Sequence, residues 1–241
     1  MWSLKRIQVP ELWRLGLTCQ RARVGAVGTG IDLTHPYFRN NTINAFSLIG
    51  SDISDMVGHE TGIVWLITRI APRADVVVVK DRLGAYGCMH SVIDACERLC
   101  ELRVQILNLS VATDFPMDGT DSVSREVNYL AENGIAVVTA AGNKGPNFQT
   151  IGSPGAAEHA ITVDKTNHRD QVGWDSSRGP TLDGRLNTEA GSKWLMTVGA
   201  HSKIRELYHR FPQSSVTSTV AVEKVFGGKL APDLRLHLAS Q

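Results

Sequence analysis

Three glycines set close behind and within an apolar run are the first residues of this sequence whose type and spacing could do chemistry. Val24 to Val27 reads as a strand covered on both faces, and Gly28 and Gly30 follow in Gly28-Thr-Gly-Ile-Asp-Leu-Thr-His-Pro36. Such a turn lets backbone approach a ligand or another segment closely. Glycines after a strand can cradle a pyrophosphate, but Gly25, Gly28 and Gly30 are spaced G-x-x-G-x-G rather than G-x-G-x-x-G. Leu33-Thr-His-Pro36 does not read as the opening of a helix either, so the dinucleotide reading is the weaker one. Metal chemistry is the other possibility. The four cysteines, Cys19, Cys88, Cys96 and Cys100, contain no C-x-x-C pair. Cys96 and Cys100 share a helical face with Val92 and Leu99, where cysteine behaves as a small hydrophobe, a metal site being the sharper alternative. Asp32 and Asp55 lack companions at the spacing of a cation site. No metal and no cofactor is expected.

The elements that must position these residues alternate. Gly62 to Ile70 carries apolar residues at 63, 66, 67 and 70, a helical stripe with His59 at or just before its start. Asp75-Val-Val-Val-Val-Lys80 is the clearest buried strand. A helix follows from Ser91 to about Leu102, then a strand from Val104 to Leu109, a helix from Asp121 to Asn133, and strands at Ile135 to Gly142 and Ala160 to Val163. Arg39 to Asp55 reads as a polar, Asn-rich loop. Alternating strand and helix predict an α/β fold: a doubly wound, mostly parallel sheet with helices on both faces and its sites at the carboxyl ends of strands. Neither a repeat nor a linker divides the chain, so 1–241 is expected to be a single domain, with its periodicity weakening after Thr166.

Of the 241 residues, 42% are hydrophobic and 20% charged, an ordinary balance for a soluble globular chain. A net charge of +1 provides no whole-chain field to favour nucleic acid or an anionic membrane. No apolar run approaches the roughly 18 to 20 residues needed to span a bilayer. The first ten residues lack the apolar stretch of a signal peptide, which implies a protein kept inside the cell or a piece of a longer precursor.

A series of blocks, in order and at fitting intervals, resembles the subtilisin-like serine proteases. These are Thr29-Gly-Ile-Asp32 with His35-Pro36, Gly58-His59 with Thr61, Ile70-Ala-Pro72 with Lys80, Asn108-Leu-Ser110, Ala140-Ala-Gly-Asn143, Ser153-Pro-Gly155 with Ile161-Thr-Val163, and Ser176 to Arg185. Pro10-Glu-Leu-Trp13 is similar to the start of mature enzymes of that family, and the resemblance covers about residues 8 to 186. It implies a serine endopeptidase domain, secreted by family habit, in which His59 is the general base and Asn143 donates to the oxyanion. It also implies a peptide or protein substrate lying extended between Gly87-Cys88-Met89 and Ser110-Val111-Ala112, paired through backbone groups.

The departures fall on the chemistry. Where the family has its catalytic aspartate, directly before Thr-Gly, this sequence has Gly28, and Asp32 matches a later, non-catalytic position. The family presents its nucleophile in Gly-Thr-Ser-Met-Ala-x-Pro; the nearest string is Val216-Thr-Ser-Thr-Val220, which makes Ser218 the candidate. Asn187 to Gly191 is a shortened version of the preceding block. Met89 and Ala112 replace smaller residues on the two walls of the groove and would narrow it, whereas Glu60 and Gly62 replace a glycine and a histidine that a helix start should tolerate. Two functions of different class follow: a slow endopeptidase working through Ser218, His59 and Asn143, or a pseudoprotease that binds a peptide or serves as a structural module.

Overall fold

The computed structural model describes residues 4–5, 7–84, 87–165 and 171–185. Ser218, its flanking string and the shortened block at Asn187 to Gly191 lie outside the described residues. After a short helix α1 (Val9–Arg14) the chain forms β1 (Arg23–Gly28), β2 (Thr42–Ser47), α2 (His59–Ile70), β3 (Asp75–Lys80), α3 (Met89–Glu101), β4 (Ile106–Leu109), α4 (Ser122–Glu132), β5 (Ala136–Ala140) and β6 (Ile161–Val163). The strands make one sheet in the order β2-β3-β1-β4-β5-β6, with every pairing parallel. This is the expected doubly wound α/β fold.

Burial follows from the sequence pattern. On one face, Val24, Ala26, Val76 and Val78 pack with Ile63, Val64, Ile67 and Ile70 of α2 and with Val9 and Leu12 of α1. On the other, Val27, Val77, Val79, Leu107 and Leu109 meet Val92, Cys96 and Leu99 of α3 and Val127 and Leu130 of α4. Valines at 76 to 79 therefore serve both cores, which is why that run has no polar alternation. Each wholly buried Ile or Leu contributes roughly 1.5–3 kcal/mol.

Three expectations need correction. The Asn-rich stretch is not all loop, because Thr42–Ser47 pairs with β3 as an edge strand. Its half-exposed, partly polar pattern hid it. Pro36 opens a 3₁₀ helix, Pro36–Asn40, with His35 Nδ1 accepting from the Tyr37 amide. Proline suits that first position because its missing N–H would be unpaired there in any case. Finally, α3 begins two residues before Ser91, so Met89 is helical.

Because β2 and β3 lie on one side of β1 and β4, β5 and β6 on the other, the order reverses beside β1. A crevice at the carboxyl ends of β1 and β4 is where such a sheet places a ligand. Gly28 ends the first of these strands, and Ser110 directly follows the second.

Candidate active site

His59 is the first residue of α2, and the position is built rather than incidental. Gly58 ahead of it has φ 82°, left-handed backbone that glycine adopts at little cost. The Asp55 carboxylate accepts from the amides of Val57 at 3.0 Å, Gly58 at 2.7 Å and Thr61 at 2.9 Å, and from the Thr61 hydroxyl at 2.8 Å. Helix starts leave amides without intrahelical partners, and Asp55 supplies one from outside the helix. Asp55, which lacks companions at the spacing of a cation site, has this capping task. Asp32 is similarly occupied, accepting from the Thr34 amide and hydroxyl at 2.9 and 2.5 Å, exposed and within its own turn.

The imidazole is half-buried over the carboxyl end of β4, with Nε2 3.2 Å from the Ser110 carbonyl oxygen. A carbonyl only accepts, so this contact requires the ring proton on Nε2. Burial holds the His59 pKa below the usual histidine range; the Ser110 carbonyl and Asp55 raise it in part, and Arg82 lowers it. The Ser110 hydroxyl accepts from Asn108 Nδ2 at 2.9 Å, which ties the start of that wall to the core of β4.

Asn143 lies three residues beyond β5, exposed, after Gly142 at φ 114°. It stands on the same carboxyl edge of the sheet as Ser110. Gly87 and Cys88 are exposed ahead of α3, with Cys88 at its cap, and Ala112 is exposed on the opposite segment. Met89 and Val111 instead lean against the core under α3 and α4. Met89, in the first helical turn, is thus less available to line a groove than its sequence position implied. Asp81, Arg82, Leu83, Gly84, Gly87, Cys88, Ser91 and Ile49 surround an open cleft of about 330 Å³ at this end.

Glu60 is the residue whose part the sequence did not disclose. Expected only to be an exchange that a helix start tolerates, it is wholly buried, and neither carboxyl oxygen has a hydrogen-bond partner among the described residues. Its amide donates to Thr29 Oγ1 at 3.2 Å. A β-carbon built on Gly28 would fall 2.0 Å from Glu60 Oε2 and 2.8 Å from Glu60 Cδ. The carboxyl of residue 60 occupies the space a side chain at 28 would fill. Burial drives its pKa well above the carboxylate range; Arg82 opposes this, while Asp55 and Asp81 reinforce it. Nothing in the sequence pattern of α2 could have disclosed this, because the partner position is an empty one on β1.

A parallel, doubly wound sheet with a histidine-headed helix at its switch point defines a subtilisin-like α/β domain. The chain matches the Subtilase family over residues 20–221 and belongs to it. Among curated relatives, it is 27% identical over 195 residues to the minor extracellular protease Epr of Bacillus subtilis (strain 168), covering 76% of this chain and 29% of that protein. It is also 27% identical to the major intracellular serine protease of the same organism, over 67% of this chain and 56% of that protein. The chain therefore spans from under a third to just over half the length of these relatives. Among solved structures, a lanthipeptide protease superposes with TM-score 0.64 at 19% identity, covering 73% of this chain and 58% of that one. The prenylagaramide maturation protease PagA gives 0.62 at 18%, covering 72% and 64%.

Proposed function

We propose that this chain is a peptidase domain that takes a peptide in extended form across the carboxyl edge of its sheet and hydrolyses it slowly. The observation that carries this reading is the seating of His59: a helix start secured by Asp55 holds an imidazole at the switch point, against the Ser110 carbonyl just beyond the end of β4. In this reading His59 takes the proton of a serine hydroxyl, with Ser218 as the candidate, and Asn143 donates to the oxyanion. Substrate backbone pairs between the exposed Gly87–Cys88 segment and the segment from Ser110 to Ala112, with Met89 and Val111 backing these walls from the core rather than lining the groove. Slowness follows from Gly28, since loss of the aspartate in subtilisin, a measured example, costs roughly 3 × 10⁴ in kcat.

A second reading, a peptide-binding pseudoprotease, is favoured by one specific observation. With its proton on Nε2 toward the Ser110 carbonyl, the ring is in the tautomer that cannot serve as a base at that nitrogen. Labelling of the full chain with a fluorophosphonate serine-hydrolase probe, mapped by mass spectrometry, separates the two. Modification at Ser218 that His59→Ala abolishes is the outcome expected of a peptidase. An unlabelled, folded protein that still binds extended peptides would replace that reading with the pseudoprotease.

A further inference from the structure

We propose that Glu60 supplies, from the start of α2, the carboxyl that β1 lacks at Gly28, and that it positions the His59 imidazole as the third member of a rearranged triad. This inference rests on the peptidase reading for its consequence, though not for its geometry. Three observations converge on it. The Glu60 carboxyl fills the volume of a residue-28 side chain, its Cδ lying 2.8 Å from where a β-carbon would be. Both oxygens are buried and without partners among the described residues, so the carboxyl costs free energy and repays nothing in the fold itself. The strand position whose volume it fills is the one where the resembling family carries the carboxylate of its catalytic histidine, and the histidine here, His59, is held by Nε2 to the Ser110 carbonyl.

The chemistry that links them is a change of tautomer. When the Glu60 carboxyl is ionised it accepts a hydrogen bond from Nδ1–H, so the ring proton resides on Nδ1 and the Ser110 contact is given up. Nε2 then carries a lone pair. It takes the hydroxyl proton as the serine oxygen bonds to the scissile carbonyl carbon, and returns that proton to the leaving amine when the C–N bond breaks. Glu60 remains an acceptor throughout. The charged and titratable groups facing Glu60 are Arg82 and Asp81, beyond the end of β3, and Asp55, in the loop before α2. Those facing His59 are Asp55 and Arg82, beside the Ser110 carbonyl. Burial with two neighbouring carboxylates keeps Glu60 protonated into a higher pH range than a free carboxyl, so the base is switched on by rising pH.

The test uses the full chain labelled with nitrogen-15 at histidine, titrated from about pH 5 to about pH 10, with His59 assigned by its absence in His59→Gln. The expected result is a His59 ring that passes from the Nε2–H to the Nδ1–H form as Glu60 ionises. Glu60→Gln, which cannot ionise, should lose that transition. The double variant Gly28→Asp/Glu60→Gly, which moves the carboxyl back to the strand, should show the Nδ1–H form throughout neutral pH. Wild-type and Glu60→Gln titrations that superimpose, with both proteins folded by circular dichroism, would overturn the proposal. Peptide hydrolysis in the same samples keeps the two claims apart. A loss of about 10²-fold or more in kcat in Glu60→Gln, with its alkaline rise gone, supports both. A ring transition without cleavage keeps the Glu60 assignment and removes the peptidase reading; cleavage without a transition does the reverse.

Discussion

At the scale of single residues, positions 28 and 60 compete for one volume. Gly28→Asp alone places a β-carbon 2.0 Å from the Glu60 carboxyl and adds a second carboxyl beside it. The expected outcome is a loss of about 1–3 kcal/mol in a denaturant titration, with no gain in probe labelling or hydrolysis. Adding Glu60→Gly should recover most of the stability, and a single variant as stable as wild type would show that Glu60 swings aside. Gly30 is constrained differently, by φ 108° and by the Ile53 carbonyl 2.5 Å from any β-carbon. Gly30→Ala should cost at least about 1 kcal/mol by the same measurement, through strain and backbone contact together.

At the scale of elements, the starts of α2 and α4 are held by aspartates, and the one at α4 also ties a distant segment to its helix. Asp121 caps α4 through the amides of Val123 and Ser124, both at 3.1 Å, and accepts from the Ser153 hydroxyl at 2.7 Å. Asp121→Ala should cost about 1–2 kcal/mol, seen as a lowered denaturant midpoint. Asp55→Ala should destabilise by a similar amount and, unlike Asp121→Ala, should accelerate amide exchange in the first turn of α2 and lower any hydrolysis through His59. The same elements show what was legible in sequence. Asp75 to Lys80 was readable because a strand buried on both faces is a continuous apolar run; β2 was not, because an edge strand with polar alternates looks like a loop. The site divided in the same way. His59 and Asn143 stand in local blocks that sequence alone singles out as candidates, Asp55 was visible only as a carboxylate without companions, and the packing of Glu60 into the space beside Gly28 joins two segments that no local pattern links.

At the scale of the whole molecule, buried carboxyls set the response to pH. Burial pushes Asp164 up to about 7 and raises Asp81 and Glu60. A carboxyl whose folded pKa is raised binds a proton that the unfolded chain has already lost, so stability falls as pH rises from the unfolded value, near 3.8 for Asp164, through about 7. Exposed Asp52 and Asp183 and half-buried Asp118 are lowered by hydrogen bonds and work the other way, their contribution being lost below their unfolded values. His59, lowered by burial, also opposes the acid side, since the unfolded chain takes up that proton first as pH falls below 6.5. Melting temperature should therefore peak in mild acid and decline toward neutrality, and Asp164→Asn should flatten the decline. A profile that rises steadily from about pH 4 to about pH 8 would contradict this.

The shared volume between β1 and α2 also constrains how this domain can change over descent. Two acids crowd it, and two glycines leave it void with the imidazole unaccompanied, so each single exchange leads to a poorer protein than either end point. If Glu60 serves His59 as proposed, the two positions should be inherited as a unit, and passage between the arrangements should cross a fitness valley rather than a slope. Among related chains, an acid at one of the two positions should accompany a small residue at the other, and a search that scores the strand position by itself would count a relocated carboxyl as a missing one.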